Sequence, residues 1–97
     1  MHYQFEWDPA KARSNERKHG VSFLDAQTVF TDLWAVESFD RIHSDDEDRF
    51  IIVGMSDLGR VLVVAFTLRD FETIRLISAR VAGRTEKVAY EENIRNG

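Results

Sequence analysis

Two nearly unbroken apolar runs, Arg49-Phe-Ile-Ile-Val-Gly-Met55 and Val61-Leu-Val-Val-Ala-Phe66, lie close together in the chain, separated by a stretch containing Ser56-Asp57-Leu58-Gly59. β-Branched and aromatic residues dominate both runs and the residues between them have tight-turn chemistry, so the pair reads as an antiparallel hairpin. A strand with one wet face alternates apolar and polar residues. These runs do not, which implies that both faces are covered at least in part, with helices as the available cover. A chain of 97 residues has room for one such core, so residues 1–97 are expected to form a single domain around this hairpin.

The flanking segments supply the rest. His2 to Trp7 alternates, with Tyr3, Phe5 and Trp7 on one face, the mark of a short half-buried strand. Asp8-Pro9 then joins a preferred N-cap to a residue suited to the first helical position. That helix should run from Pro9 to Gly20, where glycine can take the left-handed conformation and Lys18 and His19 meet the negative end of the dipole. Ser22 opens a second helix, with Asp25 completing a shortened capping box and Phe23, Ala26 and Phe30 forming the buried stripe, ending near Thr31-Asp32. Trp34 to Phe39 reads as a strand, Asp40 to Asp48 as a polar loop kept extended by like charges, and Glu72 to Arg80 as a last strand. Gly83-Arg84-Thr85 leads into a closing helix with Ala89, Tyr90 and Ile94 facing inward. The expected fold class is α+β: a strand, two helices, a four-stranded antiparallel meander and a final helix.

Charge is unevenly spread. The net charge of −4 argues at first against a nucleic-acid partner. Yet Asp25 to Asp48 holds eight acids (Asp25, Asp32, Glu37, Asp40, Asp45, Asp46, Glu47, Asp48) and one base, Arg41, whereas elsewhere twelve bases outnumber nine acids. Positive charge therefore gathers on the first helix and the last third of the chain. Cysteine is absent, which excludes disulfides, thiolate zinc sites and a cysteine nucleophile. No apolar run approaches the roughly 20 residues of a bilayer crossing. The start MHYQFEWD also lacks the features of a signal peptide, so a cytoplasmic protein without membrane association is expected.

Three groups of residues can carry chemistry. Lys11, Asn15 and Lys18 fall at i, i+4 and i+7 on a first helix that has little beyond two alanines to bury, a stripe that either tracks a phosphate backbone or simply solvates the helix. In the last strand, regular alternation puts Arg75, Ile77 and Ala79 on one face and Ile74, Leu76, Ser78 and Arg80 on the other. Unless a bulge intervenes, Arg75 and Arg80 then point to opposite sides. Arg80 ends a largely apolar face, where a guanidinium calls for a phosphate or for a carboxylate such as Glu47 or Glu86. His43-Ser44-Asp45-Asp46-Glu47-Asp48-Arg49 brings an imidazole, carboxylates and a guanidinium into one loop. These groups can meet the needs of RNA cleavage: a base for the 2′-hydroxyl, a cation for the phosphorane and an acid for the leaving 5′-oxygen. An ordinary surface loop is the alternative. The acidic cluster lacks the glycine and spacing of a calcium loop, so no metal site is expected.

The run Phe5-Glu-Trp-Asp8, Lys11, Asn15, Lys18-His-Gly-Val-Ser-Phe23, Ala26 and Val29-Phe30 resembles the N-terminal signature of the BrnT family of toxin-antitoxin ribonucleases. Later blocks agree: His43-Ser44, Glu47-Asp48-Arg49-Phe50, Gly54, Val61 to Val64, Ile77-Ser-Ala-Arg80, Glu86 and Tyr90-Glu91. The resemblance implies a small RelE-like domain, an antiparallel sheet with two N-terminal helices and one C-terminal helix. It also implies a metal-independent endoribonuclease, without cofactors, that inhibits translation by cutting RNA. The implied partner is a cognate ribbon-helix-helix antitoxin of BrnA type, which alone contacts operator DNA; exposed strand edges lead to the expectation of a heterotetramer with it. Carried onto the matching positions, Arg80 and Arg49 become phosphate ligands and Glu47 or His43 the proton carriers, with Lys11, Asn15, Lys18 and His19 as RNA contacts; Arg69, outside the matching blocks, is a further candidate RNA contact. Phe71 departs from the expected polar turn, and its ring suits an antitoxin groove, a base-stacking platform or the sheet edge. A non-catalytic module that binds the DNA-binding partner remains the competing reading.

Overall fold

A computed structural model describes residues 3–97; His2, expected to open the first strand, lies outside them. In chain order the elements are β1 (Gln4–Glu6), α1 (Pro9–His19), α2 (Phe23–Gln27) continued by a 3-10 turn (Thr28–Thr31), β2 (Val36–Phe39), β3 (Phe50–Met55), β4 (Val61–Leu68), β5 (Thr73–Val81) and α3 (Arg84–Asn96). The sheet order is β1-β5-β4-β3-β2. Strands β2 to β5 form the expected antiparallel meander. β1 joins in parallel, pairing Gln4 with Thr73 and Glu6 with Arg75, so the whole sheet is mixed.

The expected hairpin is its centre. Every residue from Val61 to Thr67 is buried. On one face Leu62, Val64 and Phe66 join Ile52, Ile74, Leu76 and Ala79 beneath Val21, Phe23, Ala26 and Val29 of the helical layer. A chain of rings runs through this layer, from Phe5 to Phe30 (5.2 Å), Phe66 (5.0 Å), Phe50 (5.6 Å) and Phe39 (5.7 Å). Such offset and edge contacts stabilise beyond the area they bury. Gly54 lets the 3-10 turn close on β3, because a Cβ there would meet Val29 Cγ1 at 2.8 Å and Ala35 Cβ at 2.9 Å. On the opposite face α3 lies against the paired residues Val36 and Val53, and only this end of that face is roofed.

The helix ends follow their local chemistry. Asp8 accepts from the Ala10 N–H at 2.8 Å, and Gly20 closes α1 at φ 68°. Ser22 Oγ accepts from the Asp25 N–H at 3.0 Å, but the expected return half of that capping box does not form. The Asp25 carboxylate turns instead to Arg60 Nη2 at 2.9 Å and ties α2 to the β3–β4 turn, an ion pair worth more to that buried group than a second cap bond. In α3, Tyr90 is buried as expected, Ala89 lines the groove against β2 and β3, and Ile94 stays 38% exposed. The loop 40–48 is also not extended. Ser44 Oγ donates to the Asp40 carbonyl and accepts from the Arg49 N–H at 2.9 Å, and the Asp40 N–H donates to the Arg49 carbonyl at 2.8 Å. These bonds close the loop at its neck while Asp45, Asp46, Glu47 and Asp48 remain exposed.

Two departures from regularity fix the site. First, β5 carries an extra residue: Ala65 pairs with Ser78 and Phe66 with Leu76, leaving Ile77 as a bulge. A one-residue insertion reverses the phase of alternation beyond it. Val63, Ala65 and Thr67 share a face of β4, and their partners Arg80, Ser78 and Arg75 therefore share it too. The expectation that Arg75 and Arg80 diverge is corrected by this bulge. Second, β1 ends at Glu6 and leaves the outer edge of β5 beyond Arg75 without a strand. Asn15 of α1 fills the gap: its Nδ2 donates to the carbonyls of Ala79 (2.8 Å) and Val21 (3.1 Å), and its Oδ1 accepts from the Ala79 N–H at 3.1 Å. The side-chain amide pairs with Ala79 as a strand backbone would, at 8% exposure. Asn15→Ala would leave buried backbone groups unpaired, and should cost about 2 to 4 kcal/mol in urea denaturation. A loss under about 0.5 kcal/mol would show the clamp to be dispensable.

Candidate functional site

The face of the sheet opposite the helical layer is apolar at its floor and charged at its rim. A cleft of about 280 Å³ is lined by Ile51, Val63, Ala65 and Ser78 below and by Asp40, His43, Arg49 and Arg80 around it. Three of the four residues expected to be catalytic, His43, Arg49 and Arg80, thus share one cavity. Glu47, the fourth, lines an adjoining hollow with His43, Asp45, Asp46 and Arg49, so His43 and Arg49 stand between the two.

Each side chain reaches the cleft for a local reason. Arg49 immediately precedes β3 and is held at the loop neck by its backbone bonds to Ser44 and Asp40. Among the described residues its guanidinium makes no ion pair, so its charge faces the cleft uncommitted. His43 places Nδ1 3.0 Å from Asp40 Oδ2 and 3.2 Å from Oδ1. An ionised carboxylate can only accept, so a hydrogen bond here is donated by Nδ1–H; it orients the ring and leaves Nε2 outside that bond. Arg80 meets Glu86 in a two-pronged pair, Nη1 to Oε1 at 2.8 Å and Nη2 to Oε2 at 2.6 Å. The Arg80 hydrogen bonds hold Glu86 at about 2, against the opposing pull of burial and with help from the Gly83 N–H, and the same pair raises Arg80 above its ordinary value.

α1 borders this cleft. Lys11, Ser14, Asn15, Lys18 and His19 line a hollow whose floor is Ile77 and Ser78, and Ser78 belongs to both cavities. Lys11, Lys18 and His19 are thereby brought beside the catalytic candidates. Asn15 is there for another purpose, since its amide is spent on Ala79 and Val21, and its reading as an RNA contact gives way to a structural one. Arg69 stands apart, 3.5 Å from Glu6, which Arg75 also engages at 2.8 Å. Phe71 is 95% exposed at the β4–β5 turn, beside Tyr3 and Leu68. Ser78 and Asp40 were not singled out from the sequence. The Asp40–His43 spacing of three residues was the available signal for one, and the shared face of Ser78 and Arg80 under strand alternation for the other. Among the described residues no three His, Asp or Glu side chains converge as a metal-holding group, and no helix is long and apolar enough to cross a membrane.

The mixed sheet thus carries the α2 layer on one face and, on the other, α3 beside a cleft rimmed by Asp40, His43, Arg49 and Arg80. Residues 7–86 match the family model described as "Ribonuclease toxin, BrnT, of type II toxin-antitoxin system", which places the chain in the class of type II ribonuclease toxins. Within that class it belongs to the BrnT family, and an antitoxin is accordingly its partner. Among solved structures, the 1.1 Å crystal structure of the Brucella abortus ribonuclease toxin BrnT matches with a TM-score of 0.62 at 23% identity, covering 84% of this chain and 99% of that one. At that identity the likeness carries the fold. No curated protein matches the chain.

The Glu86 carboxyl lies below its ordinary value of 4.5 in the folded protein. Its pairing therefore stabilises fully above that value and is lost as the pH falls toward about 2. The Tm difference between wild type and Glu86→Gln should be largest near neutrality and shrink toward pH 2; a difference independent of pH would contradict the pairing.

Proposed function

We propose that this BrnT-family chain is an endoribonuclease that cuts RNA without a metal, at the cleft of His43, Arg49 and Arg80 with Glu47 beside it. The observation that carries this reading is the convergence of two guanidiniums and an oriented imidazole on one cavity from separate parts of the chain. In the reaction the RNA 2′-oxygen attacks the adjacent phosphorus. A base, Glu47 or the free nitrogen of His43, takes the 2′-proton, and the other returns a proton to the departing 5′-oxygen. The products are a 2′,3′-cyclic phosphate, opened to a 3′-phosphate by water, and a 5′-hydroxyl. Arg49 and Arg80 stabilise the extra negative charge of the phosphorane, and the apolar floor of Ile51, Val63 and Ala65 strengthens that attraction by lowering the local dielectric. Lys11, Lys18 and His19 guide the flanking strand along α1, and Arg69 contributes farther off as a general phosphate contact.

The antitoxin in this reading is a ribbon-helix-helix protein of BrnA type that joins the toxin in a heterotetramer and alone contacts operator DNA, all in the cytoplasm. Family membership supports the partnership. Exposed Leu33, Ile42 and Phe71, together with the outer edge of β2, offer it apolar and backbone contacts. The same surfaces favour, as the second reading, a chain that binds its partner without cutting RNA.

Induction without antitoxin should arrest growth, and the purified protein should cut RNA in excess EDTA. Arg49→Ala and Arg80→Ala should each lower the cleavage rate by about 100- to 1,000-fold while retaining the wild-type circular dichroism spectrum. Full activity in both variants would remove the site, activity abolished by EDTA would remove the metal-free mechanism, and no cleavage at any concentration would favour the partner-binding module.

A further inference from the structure

We propose that Glu86 is a positioning residue for the ribonuclease cleft: it grips the end of the Arg80 guanidinium so that the opposite edge is presented, already oriented, to the scissile phosphate. This rests on the site assigned above and adds a residue to it.

A guanidinium has five N–H groups arranged so that more than one pair can bind an anion as a fork. Glu86 takes the end fork through Nη1 and Nη2. Nη1 also leans on the Val81 carbonyl at 3.5 Å. What remains is the edge formed by Nε and the second hydrogen of Nη2, a fork with the spacing of two phosphate oxygens. Arg80 lines the cleft and keeps 44% of its side chain exposed, so the ion pair does not remove it from use.

Glu86 is suited to this task because it is itself fixed. Its Oε1 also accepts from the Gly83 N–H at 2.8 Å, closing the N-terminus of α3. Farther along, α3 is anchored by the Tyr90 hydroxyl donating to Asp32 at 2.6 Å and by the Asn93 amide donating to the Trp34 carbonyl at 3.1 Å. Asp32 accepts in addition from the N–H groups of Met55 and Trp34, so the anchor reaches into β3. The guanidinium plane is thus tied through Glu86 to a helix docked at the far end of the sheet. Arginine loses much rotational freedom when it grips a ligand, and here that freedom is removed beforehand. The carboxylate also cancels one positive charge at the cleft, which weakens the general attraction for RNA.

Orientation and attraction therefore move in opposite directions, and kinetics can separate them. Cleavage of a short RNA oligonucleotide would be measured for Glu86→Ala, Glu86→Gln and Arg80→Ala beside wild type. For Glu86→Ala, kcat should fall about 10- to 100-fold while KM stays level or drops, because a misplaced guanidinium loses the transition state yet the site is more cationic. Glu86→Gln, which keeps an acceptor for both Gly83 and Arg80, should recover part of kcat, and it carries the test alone if the alanine variant does not fold. A wild-type kcat in both variants overturns the proposal. So does a raised kcat, which would make Glu86 a competitor of the substrate. Arg80→Ala distinguishes the two levels: if it is inactive while the Glu86 variants are normal, only the positioning role falls, whereas full activity of Arg80→Ala removes the site beneath it.

Discussion

The amide of Asn15 bonded to the backbone of Ala79 is the contact on which the functional half of the molecule rests. β5 is the second strand of the sheet, yet over its last residues it has no partner strand on its outer side because β1 pairs only with Thr73, Ile74 and Arg75. A buried strand edge with open N–H and C=O groups is costly. Asn15 resolves this with one side chain and thereby seats α1, a helix with almost nothing apolar to bury. The clamped residue sits between Ser78 and Arg80, two lining residues of the cleft. One amide therefore sets where the cations of α1 stand, where β5 runs after its bulge, and which way the arginine of that strand is carried.

An acidic loop beside a cleft proposed to hold a polyanion looks like a contradiction. The geometry of the loop resolves it. Ser44 closes the neck and Asp45, Asp46, Glu47 and Asp48 stay solvent-exposed. Asp45, Asp46 and Glu47 line the adjoining hollow that shares His43 and Arg49 with the cleft, and beyond about 10 Å their fields are screened at ordinary salt. The loop residues that line the cleft are Asp40 and His43, with Arg49 at the neck, and Asp40 is occupied in orienting the imidazole. The cleft itself holds two guanidiniums above an apolar floor. A net charge of −4 describes the chain and not this surface.

Local chemistry made the elements legible. Asp8-Pro9 and Gly20 bound α1 within a residue because cap and breaker act over one turn, and the apolar runs at β3 and β4 located the hairpin because burial on both faces leaves no room for polar residues. Conditions set by distant residues were not legible. Asn15 was read as one of three polar residues on a helix face, since nothing in α1 says that a strand edge sixty-four positions later lacks a partner. The parallel seating of β1 depends on where a two-helix excursion returns the chain. The bulge at Ile77 depends on how β5 pairs with β4, and it brought Arg75 and Arg80, which regular alternation assigns to opposite faces, onto the same one. Arg49 and His43 were easier, because six residues of loop bring them together whatever the rest of the fold does. Glu86 was readable only as one of two possible partners for Arg80.

The two faces of the sheet divide the labour between stability and chemistry. Leu62, Val64 and Phe66 are committed to the helical layer and to the chain of rings that crosses it, which makes β4 rigid. The residues between them, Val63 and Ala65, are small or branched and sit under the cleft, where a larger side chain would fill its space. Rigidity on one side is what allows an open, charged hollow on the other. Electrostatic catalysis depends on dipoles and charges that do not reorganise as the reaction proceeds, and a floor backed by a close-packed aromatic layer meets that condition better than a loop could. The cleft is accordingly built where the sheet is stiffest, and the mobile chemistry of arginine and histidine is left to its rim, each held by a carboxylate, Glu86 for Arg80 and Asp40 for His43.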